Sequence, residues 1–267
     1  MAPLLEVDTT DRLQVLRLNR PDRKNALTEE LAWDIITAIR AAAHDDDVWV
    51  IAITGRGDAF CSGLDLAPDD APRASPLSEQ DRAIDDLGWV GNIPLAMRVE
   101  CDKPILAGIN GSAVGAGLSL AMAADMRIAA STARFHPGYA RVGTSPDGGL
   151  TWTLPSAIGY ERAMRFLLEQ RMIDAQEAIG LGMVGEVTGP EDDFEERFLA
   201  YGRQLAEVAP IAARQTKRLV GRIGTPPDLA AHLRDEVRSA LRGLSSDDGA
   251  EAIRAMTSRE RPVFRGR

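Results

Sequence analysis

Residues 59–66, Ala-Phe-Cys-Ser-Gly-Leu-Asp-Leu, combine a glycine with side chains that take part in chemistry. Gly63 permits an unusual backbone angle, which would aim the amide of Leu64 into a cleft. The carboxylate of Asp65 is either catalytic or bonded to nearby backbone amides, as is common for an aspartate after a glycine turn. Cys61 has no basic neighbour or helix N-terminus to activate it, so we interpret it as a small buried residue.

A second glycine-rich segment spans residues 110–119, Asn-Gly-Ser-Ala-Val-Gly-Ala-Gly-Leu-Ser, between an apolar run and a predicted helix. Free amides at a helix start carry partial positive charge and stabilise a developing oxyanion, where losing one donor typically costs about 10²–10³ in rate. The alternative is a glycine packing turn without a ligand. The spacing is not that of a dinucleotide fingerprint. Ser119 lies inside the helix, not at a strand end as a hydrolase nucleophile elbow requires.

A third segment, residues 138–150, places Asp147 just before a Gly-Gly pair that opens a predicted helix. Asp147 is either the N-cap of that helix or a desolvated general base, and the local sequence leaves both interpretations open.

The composition bounds the remaining possibilities. The chain has 267 residues, with 31 basic against 40 acidic side chains and a formal charge of −9, which argues against a nucleic-acid binder. His44, His136 and His232 show no ligand spacing, and Cys61 and Cys101 are far apart, so we expect no metal. With only two cysteines and no visible signal peptide, we expect a reduced, cytoplasmic protein.

Short apolar runs alternate with helical patterns in the first part of the chain. Thr28 is a predicted N-cap, followed by a helix whose buried stripe repeats every four residues. The uncharged stretch 105–124 is long enough for a membrane span, but its glycines and serines favour a buried strand, a turn and a buried helix, so we expect no membrane segment. The predicted strands are residues 11–18, 48–54, 105–109 and 126–129.

From Tyr160 onward the pattern is almost wholly helical. We therefore predict an α/β core over residues 1–195 and a helical region over residues 196–267. The predicted helices are residues 160–170, 174–182, 194–208, 211–223, 228–243 and 248–256. Between the strands, residues 67–82 are rich in Pro, Asp and Ser and predict a surface loop.

Taken together, these segments resemble the crotonase (enoyl-CoA hydratase/isomerase) superfamily. The resemblance rests on Asn-Arg-Pro at 19–21, Asn-Ala-Leu at 25–27, the three segments above and the closing residues 258–266. It implies an α/β spiral of ββα units that binds an acyl-CoA thioester, with C-terminal helices that assemble a homotrimer or a dimer of trimers. No separate cofactor is implied, because coenzyme A is part of the substrate.

The resemblance also assigns site residues. The amides of Leu64 and Ala116 would form the oxyanion hole for the thioester carbonyl. Arg23 and Lys24, together with Arg20, are candidates for the CoA phosphates, although solvated surface charge explains them equally well. Arg261 and Arg265 are weaker candidates. The remaining implied substrate-binding residues are Ala26, Gly63, Asp65, Leu66, Gly115, Gly117, Ser119 and Tyr139.

The departures from the family pattern bear on the reaction. Hydratases of the superfamily use two glutamates to activate water, and this chain has Ser119 and Tyr139 at those places. Asp147 is placed like the aspartate of dienoyl-CoA isomerases and is similar in context to the ring-epoxide isomerase of phenylacetyl-CoA breakdown. An aryl-CoA dehalogenase also has an aspartate there, but it needs a histidine between the two oxyanion segments, where this chain has none.

We therefore expect a CoA-thioester isomerase in which Asp147 serves as base and then as acid. Burial beside apolar residues would raise the pKa of Asp147 toward working pH. Tyr139 would line the pocket or orient the substrate. The alternatives are a hydratase that uses other carboxylates such as Asp85 or Asp86, a non-catalytic acyl-CoA binding protein, and, more distantly, a ring closure like that of dihydroxynaphthoyl-CoA synthase.

Overall fold

The computed structural model describes residues 2–66, 77–85, 87–142, 144–221 and 245–267. A six-stranded sheet has the order β1-β2-β3-β5-β7-β10, in which β1 and β2 are antiparallel and the other neighbours are parallel. Its strands are β1 Leu5–Thr10, β2 Leu13–Leu18, β3 Val50–Gly55, β5 Ile105–Ile109, β7 Met126–Ala129 and β10 Glu186–Val187.

Both faces of this sheet are covered, which explains why β3 and β5 are continuous apolar runs. One face carries Ile51, Ile53 and Ile105 into the main core. The other face carries Val50 and Leu106 into a smaller cluster. A parallel strand buried on both faces has no polar alternation, so these strands were predictable from the sequence.

A second sheet of four short strands lies beside the first in the order β4-β6-β8-β9. Its strands are β4 Ala59–Cys61, β6 Ser112–Val114, β8 Arg134–His136 and β9 Ile173–Asp174. Each of the turns β3–β4, β5–β6 and β7–β8 gives one strand to each sheet before the chain moves on. This arrangement confirms the predicted α/β spiral of ββα units.

Helix α1, Glu29–His44, begins as predicted, because the side chain of Thr28 accepts a hydrogen bond from the amide of Leu31. Its buried stripe of Leu31, Ile35 and Ile39 packs in the main core. The other described α-helices are α2 Glu79–Ile84, α3 Gly88–Leu95, α4 Ala116–Ala123, α5 Leu150–Ile158, α6 Tyr160–Glu169, α7 Ala175–Leu181, α8 Phe194–Ala206, α9 Pro210–Val220 and α10 Asp247–Ser258.

Several sequence predictions need correction or fall elsewhere. The predicted strand 11–18 corresponds to β2, which pairs with β1 in an antiparallel hairpin. Strand β1 was not predicted from the sequence. In the predicted loop 67–82, residues 67–76 lie outside the described residues, and α2 occupies the end. The predicted helix 228–243 also lies outside them. The stretch 105–124 forms β5, β6 and α4, and none of the described helices is long and apolar enough to cross a membrane.

The predicted boundary after residue 195 falls inside α8. Phe198 on this helix is buried against the six-stranded sheet, and a Cβ on Gly108 of β5 would come within 2.5 Å of the Phe198 ring. Helix α8 therefore packs as part of the sheet layer. The division into a core and a helical region stays a prediction.

Candidate active site

The turn at Gly63 directs the amide of Leu64 away from the segment around Leu27, with which Leu64 pairs. Leu27 forms a parallel bridge with Leu64, donating to Gly63 O at 2.7 Å and accepting from Asp65 N at 2.9 Å. In such a bridge the residue between the two bonded ones, here Leu64, directs its N–H away from the partner segment that contains Leu27. The opposite side is that of β6 and of the start of α4, since β4 pairs with β6 there.

The second glycine turn begins helix α4. Gly115 is the N-cap with φ of 53°, and the amide of Ala116 is the first of the helix, where N–H groups have no intrahelical acceptor. The two turns touch, because a Cβ on Gly63 would lie 2.8 Å from Val114 O and 3.6 Å from Ala116 N. Gly63 itself has φ of 98°, which favours glycine.

Close packing holds helix α4 against β4. A Cβ on Gly117 would lie only 2.3 Å from Cys61 O, so no larger residue fits without movement of the backbone. The Cys61 thiol is fully buried, and desolvation raises its pKa to about 12, which confirms the structural interpretation of this residue. Leu66 is exposed beyond the first turn.

A buried asparagine fixes the loop before α1. The Asn25 side chain donates to Arg56 O at 2.9 Å and to Ala59 O at 2.7 Å, and it accepts from Arg20 N at 2.9 Å. Asn25 adopts a left-handed backbone angle, which asparagine tolerates better than most residues. This side chain ties the loop to the start of β4.

The basic groups near this loop all have acidic partners. Asp65 accepts from Arg20 at 2.8 Å and from Arg23 at 3.0 Å. Arg20 also donates to the carbonyl of buried Ala26, so it has a structural role. The Asp65 carboxylate therefore pairs with two guanidinium groups. Arg23 and Lys24, which pairs with Asp58, are half-exposed and remain accessible to an anion.

Asp147 differs from the sequence expectations in its place relative to helix α5 and in its burial. The N-cap of α5 is Gly149, with φ of 74°, so Asp147 is not the cap. The expected burial of Asp147 is wrong as well, because this residue is exposed in the chain. It lies outside any helix or strand, just before the Gly-Gly turn, where its carbonyl accepts from Leu150 N at 3.1 Å.

Two buried hydroxyl groups hold Asp147. Tyr139 donates to Oδ1 of Asp147 at 2.6 Å, and Ser119 Oγ donates to the Asp147 backbone carbonyl at 3.0 Å. Ser119 Oγ and Tyr139 Oη are themselves 2.7 Å apart. Burial and the neighbouring Asp147 raise the pKa of Tyr139, so its hydroxyl keeps its proton. Among the described residues, Oδ2 of Asp147 takes no hydrogen bond or ion pair.

A narrow cavity lies between Ala116, Ser119 and Asp147. It has a volume of about 10 Å³, far below the range of about 300–1,000 Å³ typical of ligand pockets. A large acyl group therefore requires movement of the lining side chains. The lining residues are Leu27, Trp89, Val90, Ile93, Ala116, Ser119, Leu120, Asp147 and Gly148.

The side chains of α3 were missed from the sequence. Trp89 and Ile93 belong to a helix that is apolar on most of its surface, and Pro94 lies inside it. Such a helix has no polar face to show which side meets a cavity. The only sequence feature that could have indicated a role for α3 in the cavity was its apolar composition.

Other candidate residues lie apart from the cavity. Asp85 accepts from Leu87 N and Gly88 N before α3, and Asp86 lies outside the described residues. His136 is buried and hydrogen-bonded to Gln170 O. The described chain contains no group of three or more His, Cys, Asp or Glu side chains arranged to hold a metal ion.

The basic residues of the C-terminal tail are exposed. The tail folds back on α10, where the amides of Arg265 and Gly266 donate to Asp248. No contact within the described residues joins Arg261 or Arg265 to the glycine turns.

Comparison with known proteins places this site in a family. The sequence model described as enoyl-CoA hydratase/isomerase matches residues 8–267. A "Probable enoyl-CoA hydratase" of Rhodobacter capsulatus is 34% identical over 264 residues, covering 98% of each chain. The 4-chlorobenzoyl coenzyme A dehalogenase-2 of Arthrobacter sp is 32% identical over 256 residues, covering 96% of this chain and 91% of that protein.

Solved structures agree with the sequence relatives. The crystal structure of an enoyl-CoA hydratase from Bacillus anthracis matches with a TM-score of 0.85 at 29% identity, covering 99% of this chain and 100% of that chain. The chain therefore belongs to the enoyl-CoA hydratase/isomerase family, the crotonase superfamily. Relatives named for hydration and for dehalogenation both match, so membership defines the class of enzyme and leaves the reaction to the site residues.

Proposed function

We propose that this protein is a CoA-thioester isomerase that moves a proton within an unsaturated or epoxidised acyl group. The observation that carries the proposal is the position of Asp147. Among the described residues, it is the one carboxylate that lines the cavity, and Ala116 at the start of α4 lines the same cavity. A base and an oxyanion donor on one cavity are the requirements for enolate chemistry.

The thioester carbonyl would accept hydrogen bonds from the amides of Leu64 and Ala116. Support for this pair comes from the outward direction of the Leu64 N–H, the N-terminal position of Ala116 in α4, and the contact between the two glycine turns. Two fixed dipoles stabilise the enolate oxygen without reorganisation during the reaction. The positive end of α4 adds to this effect.

The proton path uses a single base. With vinylacetyl-CoA as substrate, Oδ2 of Asp147 takes a proton from the α carbon, and the electron pair of that C–H bond forms the enolate. The enolate then collapses, the double bond shifts to the α,β position, and Asp147 returns the proton to the γ carbon. Crotonyl-CoA leaves with the same atoms, and Asp147 ends ionised as it began.

Hydration receives less support from the residues. Ser119 and Tyr139 stand where hydratases of the family place glutamates, and neither is an ionised carboxylate near neutral pH. Asp85, the described alternative, accepts from the amides of Leu87 and Gly88 and does not line the cavity. The half-exposed Arg23 and Lys24 are the groups we assign to the CoA phosphates.

The test is substitution of the base. Asp147→Asn keeps the size of the side chain and removes the proton acceptor, so deuterium from D₂O should no longer enter a panel of CoA thioesters, vinylacetyl-CoA among them. Loss of a general base costs about 10²–10⁴ in rate. Retained CoA-thioester affinity would show that the site is intact.

The matched control is Asp11→Asn. Asp11 is exposed, and its left-handed backbone angle suits asparagine equally. This variant should exchange like the wild type. Unchanged exchange in Asp147→Asn, no exchange by the wild type on any thioester of the panel, or rapid hydration of crotonyl-CoA would overturn the isomerase assignment.

A further inference from the structure

The proposed chemistry does not use two buried hydroxyl groups, that of Ser119, which lines the cavity, and that of Tyr139 beside it. Ser119 is 3% exposed and Tyr139 is 6% exposed, and each makes a hydrogen bond to Asp147. Asp147 itself is exposed. Buried polar groups that converge on one exposed carboxylate form a support for it, because each would be costly to leave without a partner.

The direction of the hydrogen bonds follows from counting protons. Tyr139 has one hydroxyl proton, and the ionised Oδ1 of Asp147 at 2.6 Å is its strongest acceptor. Ser119 then donates to Tyr139 Oη at 2.7 Å, to the Asp147 carbonyl at 3.0 Å or to the Gly115 carbonyl at 3.4 Å. Tyr139 therefore steadies the side chain of Asp147, and Ser119 steadies the Asp147 backbone when it donates to that carbonyl.

Packing leaves the support little freedom. A Cβ on Gly148 would lie 2.9 Å from the Ser119 Cβ, so the residue after Asp147 is in direct contact with α4. Gly148 has φ of 58°, which favours glycine. The loop that carries Asp147 is therefore held by a close backbone approach as well as by hydrogen bonds.

We infer that Tyr139 is a positioning residue for Asp147: it occupies Oδ1, sets the rotation of the carboxylate, and leaves Oδ2 as the oxygen that exchanges protons with the substrate. Ser119 is the secondary support. This inference rests on the proposed function, and it replaces the sequence expectation that Tyr139 orients the substrate. Residues at the two glutamate places of hydratases thus serve the aspartate in this chain.

The kinetic test separates positioning from substrate binding. In Tyr139→Phe the ring stays and the hydroxyl goes, and loss of a hydrogen bond to a charged group should lower kcat for deuterium exchange into vinylacetyl-CoA about 10–100-fold. KM should change by less than about twofold, because an interaction that acts only on the base does not alter ground-state binding. Ser119→Ala should lower kcat about 2–10-fold.

The matched control is Tyr160→Phe. Tyr160 is an exposed residue of α6, so the same loss of a hydroxyl there should leave kcat and KM unchanged. In an Asp147→Asn background, Tyr139→Phe should cause no further loss of rate, because the tyrosine acts through the aspartate. A raised KM with unchanged kcat in Tyr139→Phe would overturn the inference and return Tyr139 to substrate binding.

A second measurement does not depend on activity. A double-mutant cycle of Tyr139→Phe and Asp147→Ala on urea unfolding, in which each single change removes one partner of the hydrogen bond, should show coupling of about tenfold or more in the unfolding equilibrium constant. Additive effects would overturn the hydrogen bond itself. If Asp147→Asn exchanges normally, the proposed function fails; if Asp147→Asn is inactive and Tyr139→Phe is fully active, only the present inference fails.

Discussion

The contact between Gly117 and Cys61 offers a steric test of the oxyanion geometry. Substituting Gly117 by alanine places a Cβ 2.3 Å from Cys61 O and 2.7 Å from Cys61 Cβ. An ordinary C···O contact is about 3.3–3.6 Å, so α4 and β4 must separate by about 1 Å. This shift moves the start of α4 relative to the turn that carries Leu64.

The expected consequences have opposite signs to those of an ordinary helix substitution. Gly→Ala inside a helix normally stabilises by about 0.5–1 kcal/mol. In Gly117→Ala, overpacking should instead destabilise the protein by about 1–3 kcal/mol. A misplacement of about 1 Å in the site should lower the rate of Asp147-dependent deuterium exchange about 10²-fold.

Gly180→Ala is the matched control. Gly180 lies in α7, and a Cβ there meets nothing within 4 Å, so this variant should gain stability and keep its exchange rate. Urea unfolding gives the free-energy difference, and mass spectrometry in D₂O gives the rate. The reasoning is refuted if Gly117→Ala is as stable and as active as Gly180→Ala.

Two further predictions concern the support of the site. Asn25→Ala should lower the free energy of unfolding by about 3 kcal/mol, because three hydrogen bonds of a buried side chain and a left-handed backbone preference are lost; a urea curve that matches the wild type would contradict this. Cys61, with its pKa raised from 9.0 to about 12, should resist iodoacetamide at pH 8 in the folded protein and react after unfolding in urea. Its neutral thiol contributes stability that is fully present below pH 9 and is lost as pH rises toward about 12.

Much of the fold follows from hydrophobic pattern. Strands β3 and β5 are continuous apolar runs because both faces of the sheet are buried. Helix α1 is predictable from its N-cap Thr28 and from the apolar residues that repeat every four positions. The second sheet was not predictable, since its strands have two or three residues and show no periodicity. Strand β1 was missed because most of it is exposed and polar.

The candidate site was only partly accessible from the sequence. The two glycine turns were identifiable, because glycine marks close backbone approach, and their contact is what Gly63 and Gly117 permit. The link between Tyr139 and Asp147 was not, because the two residues do not share one helix or strand and the path of the intervening chain sets the distance between them. The environment of Asp147 was also misjudged, since apolar neighbours in sequence do not fix exposure in space.

The packing of Phe198 over Gly108 has a practical consequence for building hybrids of related enzymes. A splice after residue 195 would divide α8 between two parent proteins. Phe198 would then come from one parent and Gly108, against which it packs, from the other. A junction before the N-cap Asp193 would keep the helix whole, but the donor's aromatic ring would then have to match a glycine on β5. Interchange of C-terminal helices therefore depends on the packing of Phe198 against Gly108 of the six-stranded sheet.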